Sequence, residues 1–191
     1  TPTATQQAQI PAGYTALRTE SVSLEAVKEL QLSLSYEDVT IYLSADNTLT
    51  YIFCGNNSWN YAENEMAALS LKDGTLILES GVWNKAWSRL SYRKWQPKIF
   101  IYLPADLSAD LSASIGSGSM KSTMAVTADT VALDTASGSM TFSDVNSRSG
   151  LVVSNGSGSA SFEITGDSNF SIFIGNLSTS SIHFDVSYIV N

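Results

Sequence analysis

The side chains with most scope for recognition chemistry lie close together: Trp83, Lys85, Trp87, Arg89, Tyr92, Arg93, Lys94 and Trp95, with Lys98 just beyond. Five of the 10 basic residues (Lys85, Arg89, Arg93, Lys94, Lys98) fall in this stretch, and no acid stands between Glu79 and Asp106, although the chain carries a net charge of -8. Indole and phenol rings present flat faces to sugars, and a guanidinium or ammonium beside them pairs with phosphate or carboxylate. One reading is therefore a surface for an anionic glycan across residues 83–98. The competing reading is structural: the tryptophans cover an open sheet edge, and the solvated cations discourage edge-to-edge pairing. Trp59 and Tyr61 stand in a second polar stretch that could pack beside the first.

Nucleophilic catalysis is formally open, because His183 and Asp185 accompany many serines. A nucleophile needs a held base and an oxyanion hole, and the chain has no Gly-x-Ser-x-Gly elbow to supply them. No catalytic residue is assigned, and the expectation is a protein that is not an enzyme. Asp129, Asp134, Asp144 and Asp167 invite a calcium reading, yet neither an EF-hand loop nor the Gly-Gly-x-Gly-x-Asp repeat is present. One cysteine, Cys54, and one histidine cannot build a zinc site, and a lone cysteine cannot form an intrachain disulfide. No metal and no cofactor are expected. Cys54 follows Phe53 at a strand end and reads as an inert small side chain that alternation turns outward or toward a neighbouring layer. A sequence pI near 4.4 argues against nucleic acid as a partner, since binding a phosphate backbone needs a basic field.

These residues hang on a β-rich frame. Apolar positions alternate with period two at Leu30, Leu32 and Leu34; at Val39, Ile41 and Leu43; at Leu49, Tyr51 and Phe53; and at Ile99, Ile101 and Leu103. Tyr36-Glu37-Asp38 separates the first two runs as a turn, and Asp73-Gly74 joins Leu69 and Leu71 to Leu76 and Leu78 in a tight one. Polar excursions interrupt the pattern at 55–64 and 81–97.

Beyond Pro104 a period takes over. Ser117-Gly118-Ser119-Met120 returns as Ser137-Gly138-Ser139-Met140 and as Ser157-Gly158-Ser159-Ala160, a spacing of 20 residues. A fixed period of this length means coils that cover one another's apolar faces by stacking. Alignment on the Ser-Gly step predicts core columns of Met120, Met140 and Ala160; of Phe142, Phe162 and Ile182; of Val131 with Leu151; and of Leu133 with Val153. Gly118, Gly138 and Gly158 are expected to line one edge, at chain reversals with positive φ. A phosphate cradle is excluded at these glycines because no helix follows them.

The fold expected is all-β: a right-handed parallel β-helix-like solenoid, with coils of 20 residues in the C-terminal half and irregular coils with two loop excursions in the N-terminal half. Residues 1–19, polar and containing Pro2 and Pro11, read as a tether, and residues 20–191 as the solenoid domain. A chain that starts at Thr1 reads as trimmed, and the remainder contains no run of apolar residues long enough to span a membrane.

Asp38-Val39-Thr40-Ile41, then Asp73-Gly74-Thr75-Leu76-Ile77-Leu78, then Ile101-Tyr102-Leu103-Pro104-Ala105-Asp106, then the recurrent Ser-Gly steps, follow an order found in a known group. The chain resembles the adhesin-type β-strand-repeat domains of unknown function in bacterial envelope proteins, relatives of the head GIN autotransporter-adhesin domains. The resemblance covers about Glu20 to Asn191. It departs at Ser119, Ser139 and Ser159, where the family often has Asp. It implies export, an extracytoplasmic place of work at the cell surface or in secreted form, an N-terminal anchor in a removed segment, and adhesion or envelope association through a surface polymer or protein. Two alternatives are a binding module for an anionic envelope glycan through residues 83–98 and a polysaccharide-active enzyme of the kind parallel β-helices host. An imperfectly capped stack also allows a homo-oligomer.

Overall fold

Strands form at the runs of period-two alternation, and at Tyr14–Ser23 besides. The computed structural model describes residues 8–82, 96–165, 171–175 and 182–187. Among these residues the elements are β1 (Tyr14–Ser23), β2 (Glu29–Leu34), β3 (Asp38–Leu43), β4 (Thr48–Asn56), β5 (Ala68–Lys72), β6 (Thr75–Glu79), β7 (Lys98–Leu103), β8 (Asp110–Ile115), β9 (Ser119–Thr135), β10 (Ser139–Asn155), β11 (Ser159–Thr165), β12 (Ser171–Gly175) and β13 (Ile182–Ser187). One 3₁₀ turn at Glu63–Glu65 interrupts them, and the fold is all-β. No helix among the described residues is long and apolar enough to cross a membrane.

All thirteen strands join one hydrogen-bonded sheet. It runs as two rows linked by the long strands β9 and β10, whose first parts belong to one row and last parts to the other. The first row is β1-β4-β7-β3-β9-β10-β11-β13 and the second is β5-β6-β2-β8-β9-β10-β12. From β6 and β7 onward every pairing within a row is parallel, so the chain passes from one row to the other and returns one coil further on. Stacked strands sit about 4.8 Å apart. Antiparallel pairing closes the other end: β1 on β4, β4 on β7, and β5 on β6. The β5–β6 turn has Asp73 at φ 53° and Gly74 at φ 87°, the two left-handed positions that a tight hairpin of matching twist demands.

Inward side chains form a continuous core. Leu30, Leu32, Val39, Ile41, Leu49, Tyr51, Phe53, Leu76, Leu78, Ile99 and Ile101 have almost no accessible surface. The columns expected from the repeat are present, since Met120 pairs with Met140 and Met140 with Ala160, Val131 with Leu151, and Leu133 with Val153. One expected column is corrected. Phe162 pairs with Phe184, and Ile182 pairs with Ala160, because each of the two connections in the last coil holds one residue more than its counterpart below.

Two further corrections follow from the pairing. Tyr14–Ser23 bonds along β4, so residues 14–19 of the stretch expected as a tether, 1–19, lie in the sheet. Stacking order also departs from chain order. The β2–β3 coil lies between the later β6–β7 coil and the β8–β9 coil, with β2 bonded to β6 and β8, and β3 to β7 and β9.

Candidate functional site: the stacked corner

Where the second row hands the chain to the first, the coils turn at equivalent corners. Ser35–Glu37, 116–118, 136–138 and 156–158 lie one over the next, as the pairings of Leu34 with Ile115, Asp38 with Ser119, Ser119 with Ser139 and Ser139 with Ser159 require. Backbone hydrogen bonds continue through the turns. The amides of Ser119, Ser139 and Ser159 donate to the carbonyls of Glu37, Gly118 and Gly138 at 3.0, 3.1 and 3.0 Å.

Gly118, Gly138 and Gly158 line one edge, as the repeat predicts, but the reason for glycine is different. None of them has a positive φ; among the described glycines only Gly13 and Gly74 do. Each is instead pressed against the backbone of the coil before it, so that an added Cβ would stand 2.1 Å from the Glu37 oxygen, 2.2 Å from the Gly118 oxygen and 2.1 Å from the Gly138 oxygen respectively. Glycine is needed here for approach, not for chain reversal.

Glu37 occupies the glycine column in the β2–β3 coil. Its side chain is fully buried, and its Oε2 accepts from the amides of Ser35 (3.0 Å) and Tyr36 (3.0 Å) and from the Ser80 hydroxyl (2.7 Å). Oε1 has no hydrogen-bond partner among the described residues. Beside it, Asp38 accepts from Lys98 Nζ and from Ser119 Oγ, both at 2.6 Å. Burial by itself would raise the Asp38 carboxyl, but those two hydrogen bonds, with the charges of Lys98 and Lys121, hold it below its ordinary value.

Between β6 and β7 the sequence carries the second excursion, 81–97. Both of its ends are fixed at the neighbouring corner. Ser80 bonds Glu37, Gln96 Nε2 donates to the Tyr36 carbonyl at 2.8 Å, and the Pro97 carbonyl accepts from Asp38 N at 3.0 Å. Trp83, Lys85, Trp87, Arg89, Tyr92, Arg93, Lys94 and Trp95 lie outside the described residues. At the corner itself lies an open polar depression of about 440 Å³ lined by Gln96, Ser117, Gly118, Ser119, Ser137 and Ser139 among others. Serine side chains dominate its wall, the corner amides being used in the bonds between coils.

The other candidates fall elsewhere. Trp59 packs against the core, and Tyr61 meets Phe53 edge-on at 5.6 Å, so both serve the end cap. Asp129 pairs with Arg148 at 2.7 Å, and Asp106 bonds the same guanidinium at an exposed position, not across a groove. His183 is on β13 with its backbone beside Ser161. Asp167 lies outside the described residues. Cys54 is fully buried, and that burial pushes its thiol up to about 11.

Sequence reading missed Glu37, Asp38 and Gln96 as parts of this corner. A signal was there for the first two: Leu34 to Val39 has the same five-residue step between inward positions as Ile115 to Met120, which puts Glu37 over Gly118.

Comparison with known proteins agrees with this architecture. The family model described as Toastrack DUF4097 matches residues 27–188. A solved "putative cell adhesion protein" from Clostridium sporogenes is 13% identical, with 89% of this chain and 99% of that one covered at a TM-score of 0.55, a likeness of fold. A "putative adhesin" from Bacteroides fragilis (12% identity, 92% and 98% coverage, TM-score 0.27) and a "putative lipid binding protein" from Parabacteroides distasonis (11%, 91% and 97%, 0.28) superpose too loosely to carry an argument. No curated protein matches. With most of its length under one family model, the chain belongs to the Toastrack DUF4097 family.

Proposed function

We propose that this protein is an adhesin-like interaction module of a bacterial envelope, working outside the cytoplasm by binding and not by catalysis. The single observation that supports the reading is the corner: a row of serine hydroxyls around Gly118 and Gly138, with Ser80 and Gln96, between which the cationic, aromatic stretch 83–95 falls in the sequence, bonded to Glu37 and Tyr36 beside it. On this reading the partner is an anionic surface glycan. Lys85, Arg89, Arg93 and Lys94 meet its charges, Trp83, Trp87, Tyr92 and Trp95 stack on its rings, and the corner hydroxyls meet its own hydroxyls. Right-handed winding of the coils belongs to the same proposal, since parallel strand connections take that hand almost without exception. Kinship with the head GIN domains and anchorage at the envelope belong to it as well.

The test is retention on purified anionic cell-wall polymer, beside labelling of intact cells with antibody. Wild type is expected to be retained and a Trp87→Ala/Arg93→Ala double variant to wash through, with antibody reaching the protein on unbroken cells. Equal retention of both proteins would remove the glycan, and staining only after lysis would remove the envelope.

A further inference from the structure

On the outer side of the first row, two residues are buried that alternation turns away from the core. Phe53 and Ile99 point inward, so their neighbours Cys54 and Phe100 point outward, yet Cys54 is 0% and Phe100 6% exposed. Neither belongs to the core cluster. Thr40, paired with Phe100, is also buried, at 6%. Something lies across this face.

Residues 8–14 are held on either side of it. At one end the Ala8 amide donates to the Tyr102 hydroxyl at 2.7 Å. At the other, the Asn57 amide donates to the Gly13 carbonyl at 2.9 Å, the Tyr14 hydroxyl donates to the Gln96 carbonyl at 3.0 Å, and the Tyr14 ring lies 5.3 Å from Lys98 Nζ. Gly13 has φ 86°, and the Tyr14 amide donates to the Pro11 carbonyl at 3.1 Å, so the backbone turns there, off the line of β1. Between these ends no strand ladder holds residues 8–13.

We infer that residues 8–14 form a strap, hinged at Gly13 and caught by Tyr102, which closes over Cys54 and Phe100 and opens independently of the solenoid. A segment held by few bonds and little buried apolar area opens at a free energy well below that of global unfolding. Because the strap is the part of the chain leading away from the N-terminal side, tension on that side loads the Ala8–Tyr102 bond before it loads the β1–β4 ladder. Opening bares the Cys54 thiol and the Tyr42–Tyr102 ring stack, whose centroids are 5.6 Å apart. The inference needs nothing from the glycan reading.

Cys54, the only cysteine, is a built-in reporter. The experiment measures its reaction with DTNB in the folded full-length chain as a function of urea. For wild type, the rate is expected to be slow and nearly flat at low urea, because local opening exposes little surface. Tyr102→Phe keeps the ring stack and removes the catch, and should raise that flat rate about 3- to 10-fold, the range for one hydrogen bond. Gly13→Ala strains the hinge and should raise it about 5-fold or more. Phe142→Leu, far along the stack, should lower the urea midpoint and leave the flat rate unchanged. The strap is overturned if wild type reacts as fast as a free thiol. It is equally overturned if all three variants change the rate only in step with global stability.

Discussion

Gly138 rests on the carbonyl oxygen of Gly118 so closely that a methyl group at its Cα would lie 2.2 Å away, well inside contact distance with backbone that cannot move aside. Gly138→Ala should therefore cost about 3 kcal/mol in urea unfolding, as overpacking against an unyielding neighbour does. Gly150→Ala is the matched control. It has nothing within 4 Å and no positive φ, so its stability should be unchanged or up by about 0.5 kcal/mol through the stiffer unfolded chain. Equal losses in the two variants would show that the corner does not need its glycines.

The repeat predicts a specific tolerance to deletion. Removing residues 119–138 joins Gly118 to Ser139 and preserves every corner bond type, because Ser139 then stands where Ser119 stood, with its amide facing the Glu37 carbonyl. Such a protein should fold, with a lower melting temperature reflecting one lost interface. Removing residues 119–128 instead leaves half a coil and throws the inward columns out of register. Circular dichroism should show native-like strand content for the first and not for the second.

Glu37 holds three donors at the head of the glycine column: the Ser35 and Tyr36 amides and the Ser80 hydroxyl. Glu37→Ala strands these in the interior and should cost about 3 kcal/mol or more. Glu37→Gln keeps an acceptor in place and should cost less. Equilibrium urea unfolding of both separates the hydrogen-bonding role from one of bulk, which the two variants would report as equal losses.

Stability should fall on the acid side partly through Asp38. Its folded carboxyl is held below the ordinary value, so as pH drops the unfolded chain takes up the proton first. The stabilisation is complete above about pH 4 and disappears as pH falls through the lower, folded value. With Asp38 about one third exposed, at 34%, solvent screening keeps the effect below about 1 kcal/mol. Asp38→Asn should unfold with a shallower acid limb than wild type and the two curves should converge at low pH; parallel curves would exclude Asp38 as the group responsible.

Much of this protein was written in local patterns. Alternation at Leu30, Leu32 and Leu34 or at Ile99, Ile101 and Leu103 was enough to place strands, and the 20-residue recurrence of Ser-Gly-Ser was enough to place Met120 over Met140 over Ala160, because a repeated local sequence repeats its local structure and then stacks. What period alone could not convey is which coil lies on which. The β2–β3 coil slips between coils that come later in the chain, a choice made by complementary strand edges far apart in sequence. The same distant packing decided that Gly118, Gly138 and Gly158 are there to let backbones meet, that Glu37 stands at the head of their column, and that Cys54 is buried. Contacts of that kind depend on where the chain returns to, and no short window of sequence contains both partners.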